Sequence, residues 1–104
     1  MKVEISYHGI ERTDAIDGAI HREIESAMGR FGGRLTRIEV HVGDVNGPKK
    51  GLDDKRCMME ARPAGSKPLA VEAAGSDLYH VIADAAGKLQ RAVTHRFEKA
   101  ESRG

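Results

Sequence analysis

Five basic side chains fall within twelve positions near the end of the chain: Lys88, Arg91, His95, Arg96 and Lys99. Spacings of three and four place Lys88, Arg91, His95 and Lys99 in one row if the segment is helical, with Arg96 beside it. Cations held in a row can neutralise a phosphate backbone, which is sequence-independent chemistry. A helix C-terminus favours cations by a few tenths of a kcal/mol each, roughly, so capping alone accounts for some of them. Five exceed what capping requires. Arg22, Arg30, Arg34 and Arg37 lie on or just after an earlier apolar-periodic segment. If the two segments are adjacent helices, their outer surfaces form one phosphate-binding groove. The pattern favours recognition of RNA shape over base readout, because no aromatic side chains are placed for stacking.

Other reactive residues carry less. His8 and His41 sit at outward positions of two alternating segments and, with Asp44, could approach a metal, but no metal-ligand spacing motif supports one. We expect polar residues on a solvated face there and no metal. Cys57 is an inward position of an alternating segment and reads as a small buried hydrophobe. Gly43 to Lys50 has the glycines of a phosphate loop but lacks its Gly-Lys-Ser/Thr ending, and no helix follows. Asp53, Asp54 and Glu60 are read as surface charge. No nucleophile elbow or metalloprotease motif is present. The chain therefore reads as a non-enzyme without a cofactor or small-molecule substrate.

The elements that must carry the basic row follow from hydrophobic period. Leu78, Ile82, Ala85, Leu89, Val93 and Phe97 mark a helix over Ser76–Lys99, with Ser76 as its N-cap and Asp77 in its first turn. Lys2 to His8 alternates as a strand. Thr13 caps a helix with the stripe Ile16, Ile20, Ile24, Met28 and Phe31, ended by Gly32-Gly33. Thr36–Val45, Asp54–Arg62 and the run Leu69, Val71, Ala73 return to period two. Asn46–Asp53 is a polar loop, Pro63–Pro68 a turn, and Ala100–Gly104 a frayed tail. The order β-α-β-β-β-α predicts an α+β fold: a four-stranded mixed sheet with both helices on one face.

The 104 residues suit one domain, residues 1–104. Aromatics are 4% and charged residues 32%, with a net charge of +1, so any anion site must arise from local segregation of charge. A single cysteine excludes an internal disulfide, the N-terminus has no signal-peptide pattern, and no apolar run approaches the roughly 20 residues that span a bilayer. A cytoplasmic protein without a membrane partner is expected.

The segment Asp77-Leu78-Tyr79, then Ile82, Lys88-Leu89, Arg91 and Val93, resembles the final helix of the ribosome hibernation-promoting factor family, also called the sigma-54 modulation or S30EA family. Thr13-Asp14-Ala15-Ile16 and Ala73-Ala74-Gly75 agree more loosely. The resemblance, to the short form of the family, implies a ribosome-associated translation inhibitor active under stress. Such a protein binds the small ribosomal subunit near the mRNA–tRNA decoding channel through contacts to rRNA phosphates. By position, Lys88 and Arg91 carry over most directly, and His95 and Lys99 stand where the family usually has Lys or Arg. The chain departs from the family pattern at Asp17, Glu23 and Glu25. The alternative is a relative that acts as a protein-interaction module through its open sheet face, at Arg56, Met58, Glu60 and Arg62.

Overall fold

The computed structural model describes residues 1–44 and 54–102. The elements run β1 (Lys2–His8), α1 (Asp14–Met28), a 3-10 turn (Gly29–Arg34), β2 (Leu35–Asp44), β3 (Lys55–Pro63), β4 (Leu69–Gly75) and α2 (Leu78–Ser102). The strands form one sheet in the order β1-β2-β3-β4. β1 and β2 pair in parallel, Val3 opposite Ile38 and Ile5 opposite Val40. The other two pairs are antiparallel. This is the expected α+β fold.

Alternation decides which side of the sheet is dry. Ile38, Val40 and Val42 of β2 and Cys57, Met59 and Ala61 of β3 are fully buried and form one core with Ile20, Ile24 and Met28 of α1 and Ile82, Leu89 and Val93 of α2. Each of the isoleucine, valine, leucine and methionine side chains among them contributes on the order of 2 kcal/mol relative to exposure. Both helices lie on this face. Burial in the same core pushes the Cys57 thiol up to about 12, so it is an un-ionised packing group.

Four details differ from the expected elements. Asp77, not Ser76, caps α2: its Oδ1 accepts from the Tyr79 N–H at 3.0 Å, and its main-chain carbonyl accepts from Val81 at 2.9 Å. Asp77 therefore stands before the first turn, where a carboxylate both accepts a backbone N–H and meets the positive end of the helix dipole. At the other helix Thr13 is the cap as expected, accepting from Ile16 at 3.1 Å. α1 stops at Met28, and the chain tightens into the 3-10 turn, which carries buried Phe31 and turns at Gly32 (φ 51°, ψ −129°). Only glycine enters that conformation at little cost. α2 continues through the tail as far as Ser102. Asp54 is buried, not surface charge, and lies 3.2 Å from the Lys55 ammonium, which also bonds Asp44 at 3.0 Å. These carboxylates hold the Lys55 ammonium above its ordinary pKa. The loop expected over Asn46–Asp53 lies outside the described residues.

The two edge strands are each met by a long basic side chain. Arg12 Nη2 donates to the Ile5 carbonyl of β1 at 2.8 Å. Lys88 Nζ donates to the Glu72 carbonyl of β4 at 3.0 Å. Arg12 also chelates Asp17, with Nη1 at 2.9 Å from both carboxylate oxygens, and its guanidinium carbon lies 4.6 Å from the Tyr7 ring centre. Tyr7 donates to the same carboxylate at 2.5 Å, which fastens β1 to the first turns of α1.

Candidate nucleic-acid interface

Topology gathers the cations. α1 runs back from the end of β1 to the start of β2, and α2 runs back along β4, so the helices point the same way. Their C-terminal ends meet: Arg30 Nη2 donates to Thr94 Oγ1 at 2.7 Å, and Arg34 Nη1 lies 3.3 Å from Glu101. The β3–β4 turn arrives at the same end, where the Ala64 N–H donates to the Arg34 carbonyl at 2.9 Å.

Two grooves flank the second half of α2. One, against the 3-10 turn, is lined by Arg30, Gln90, Arg91, Thr94, His95 and Glu98. The other, against the β3–β4 turn, is lined by Arg34, Ala64, Gly65, Ser66, Arg96, Phe97 and Ala100, and Lys67 and Lys99 line the recess beside it. Arg96 is fixed across this second groove, with Nη1 donating to Ser66 Oγ at 2.6 Å and to the Lys67 carbonyl at 2.8 Å. The grooves and their rims bring together six cationic side chains (Arg30, Arg34, Lys67, Arg91, Arg96 and Lys99) and two carboxylates (Glu98 and Glu101). That is a local surplus of four positive charges in a chain whose net charge is +1. A surplus at one end attracts polyanions that the whole-chain charge would not.

The floor between the grooves is aromatic. Phe31 and Phe97 meet edge to face with centroids 5.4 Å apart. The Arg30 guanidinium carbon lies 4.8 Å from the Phe31 centroid and that of Arg34 3.8 Å from the Phe97 centroid. Both phenylalanines of the chain are thus covered by arginines, a cation–π arrangement that orders the cations before any ligand arrives.

Not every expected residue joins. Lys88 begins the row on α2 but bends to the β4 carbonyl, with Asp84 at 4.0 Å. Arg22 is exposed on α1 and lines neither groove. Arg37 belongs to β2 and faces the opposite side of the sheet, bonded to Glu4 at 2.5 Å and Glu39 at 3.3 Å. Lys67 was not singled out from the sequence. Its only signal was a lysine in a proline-bounded turn.

The open sheet face carries charge of a different kind. Lys2 and Arg37 pair with Glu4, Arg62 with Glu39 and Glu60, and Arg56 with Glu72. Its cations are balanced by carboxylates on the same or neighbouring strands, so little net field remains for a phosphate chain. The Lys2 and Arg37 contacts hold the Glu4 carboxyl below its usual range, with the hydrogen bond from Lys2 contributing most. His8 Nε2 and His41 Nδ1 do meet here, at 3.0 Å, with ring planes 18° apart. The centroid separation of 5.3 Å equals that contact plus one ring radius at each end, so the rings lie edge to edge as a hydrogen-bonded pair. Among the described residues no three His, Cys, Asp or Glu side chains are gathered to hold a metal. Among the same residues no helix is long and apolar enough to cross a membrane.

Solved structures share this fold. A ribosomal subunit interface protein from Coxiella burnetii superposes with a TM-score of 0.77 at 14% identity, covering 94% of this chain and 99% of that one. The N-terminal domain of Thermus thermophilus Protein Y does so with a TM-score of 0.73 at 21% identity, covering 91% and 98%. A search of curated protein sequences found no match. The family model described as Sigma 54 modulation protein / S30EA ribosomal protein matches residues 3–101, which is nearly the whole chain. The cation-bearing helix that resembled this family is α2, and the protein is a member of the sigma-54 modulation/S30EA ribosomal protein family.

Proposed function

We propose that this protein binds the small ribosomal subunit near the mRNA–tRNA channel and inhibits translation as a hibernation factor. The observation that carries this reading is the convergence of Arg30, Arg34, Lys67, Arg91, Arg96 and Lys99 where the two helices and the β3–β4 turn end together. Family membership supplies the ribosome as the target, and a protein of the same fold is described as a ribosomal subunit interface protein. The contacts are phosphate contacts. His95 lines the first groove beside Arg30 and Arg91. Binding needs no cofactor and no catalysis, and it places the protein with ribosomes in the cytoplasm.

The test is co-sedimentation with purified ribosomal subunits at two salt concentrations. Log affinity is expected to fall with log salt by about 0.7–0.9 per phosphate contact. The double variant Arg91→Glu/Lys99→Glu is expected to stay in the supernatant while keeping the parent's circular dichroism. A folded double variant that pellets as well as the parent overturns the proposal.

A further inference from the structure

The second groove offers more than charge. At 3.8 Å from the Phe97 centroid, the Arg34 guanidinium carbon is at contact distance from the ring face. An edge-on guanidinium would hold its carbon farther away, by the reach of its N–H bonds, so the group lies flat on the ring. Phe97 is 9% exposed, whereas the Arg34 side chain is 52% exposed. The inner face of the guanidinium is therefore covered and the outer face is open. Glu101 meets it at Nη1, at 3.3 Å, and itself remains exposed. The groove beside it has a volume of about 380 Å³ and is also lined by Ala64, Gly65, Ser66 and Arg96. A Cβ added at Gly65 would meet nothing within 4 Å, so the turn leaves open space at that position.

We infer that this groove seats one unpaired nucleotide of single-stranded RNA, its base stacked on the outer face of Arg34. The flanking phosphates lie against Arg96 and Lys67. Bases that are splayed out of a strand stack on arginine planes as they do on aromatic rings, and every base offers a π-face, so the contact is tolerant of sequence. The platform is pre-ordered, because Phe97 beneath it and Glu101 beside it hold the guanidinium in place. The stacking group is then an arginine supported by a phenylalanine rather than an aromatic side chain. The inference rests on the RNA-binding reading and adds to it a contact that salt does not screen.

The probe is a short single-stranded RNA in which 2-aminopurine alternates with uridine. Stacking on Arg34 is expected to change its fluorescence on binding. Arg34→Lys keeps the charge but removes the plane. It is expected to weaken binding by about tenfold without altering the salt slope. Arg91→Ala is expected to lower the slope by about 0.7 instead. Unchanged fluorescence at saturation, or an Arg34→Lys variant that binds as tightly as the parent, overturns the inference. If Arg34→Lys is unstable, the parent's fluorescence change decides alone. A parent that sediments with ribosomal subunits but leaves the probe's fluorescence unchanged removes only the groove assignment. A parent that does not sediment removes the ribosome reading itself.

Discussion

Arg34 and Phe97 are 63 positions apart in sequence and in face contact in space, with the guanidinium carbon 3.8 Å from the ring centre. The contact joins the end of the first helical segment to the last turns of the second. Phe97 also meets Phe31 at 5.4 Å, so one ring serves both the core and the cationic surface. Phe97→Ala is expected to cost about 3 kcal/mol, the lower end for a buried phenylalanine because its rim reaches solvent. Phe97→Leu should cost less than half of that. Urea unfolding midpoints at constant slope measure both, and a Phe97→Leu variant as stable as the parent would show that the aromatic contacts contribute nothing.

Gly43 is required by its neighbour. A Cβ there would stand 2.7 Å from the His8 carbonyl oxygen and 3.2 Å from the His8 Cβ, so the parallel β1–β2 pair would have to part. Gly43→Ala is expected to destabilise the protein by roughly 1–3 kcal/mol. Gly33→Ala, where nothing lies within 4 Å, is the control and should change stability little. Thermal denaturation of both variants checks the contrast.

Asp17 predicts how stability responds to acid. The Tyr7 hydroxyl, and after it the Arg12 guanidinium, hold the Asp17 carboxyl below its ordinary range, against the opposing effect of desolvation. A carboxyl whose folded pKa is depressed stabilises the fold above its unfolded pKa, near 4, and loses that contribution as pH falls through the folded value. Melting temperatures measured from neutral pH downward should therefore fall less steeply in Asp17→Asn than in the parent. Parallel curves would contradict the assignment.

Tyr7 predicts the alkaline side. Desolvation first, and then its bond to Asp17, raises the phenol to about 12. Its folded pKa exceeds the unfolded value near 10, so the stabilisation is complete below about 10 and is lost as pH rises through about 12. In a Tyr79→Phe background Tyr7 is the sole tyrosine, and ultraviolet absorbance follows it directly. Titration near 10 in the folded protein would overturn the half-buried hydrogen bond to Asp17.

Cys57 reports on the core. Its thiol is buried in the core and raised to about 12 by desolvation. It should resist a disulfide reagent at mild alkaline pH in the native protein and react fully in denaturant, because the thiolate is the nucleophile. Rapid native labelling would mean that β3 is open to solvent.

The element order was legible because each element is half buried and therefore periodic: Ile38, Val40 and Val42 announce a strand as plainly as Ile82, Leu89 and Val93 announce a helix. The cap of α2 was harder to read, because Ser76 and Asp77 both suit the role and only backbone geometry chooses. The cationic row on α2 was visible from spacing, but its partners were not. Arg30 reaches Thr94 across 64 positions and Arg96 reaches Ser66 across 30, and such pairings depend on how the helices and the turn converge. Lys88 shows the reverse effect. Its place in the row is real, yet a carbonyl of β4 draws its ammonium away from the surface that the row suggests.

The bonds from Arg12 to the Ile5 carbonyl and from Lys88 to the Glu72 carbonyl have a consequence for association between copies. An exposed strand margin is a template on which another chain can add by main-chain pairing, the first step of fibril growth. Here each margin has a carbonyl already occupied and a charge laid across it. An incoming strand would have to displace the Arg12 guanidinium or the Lys88 ammonium from its carbonyl before pairing there. The sheet is thereby guarded on both flanks against templated aggregation, even where many copies accumulate side by side.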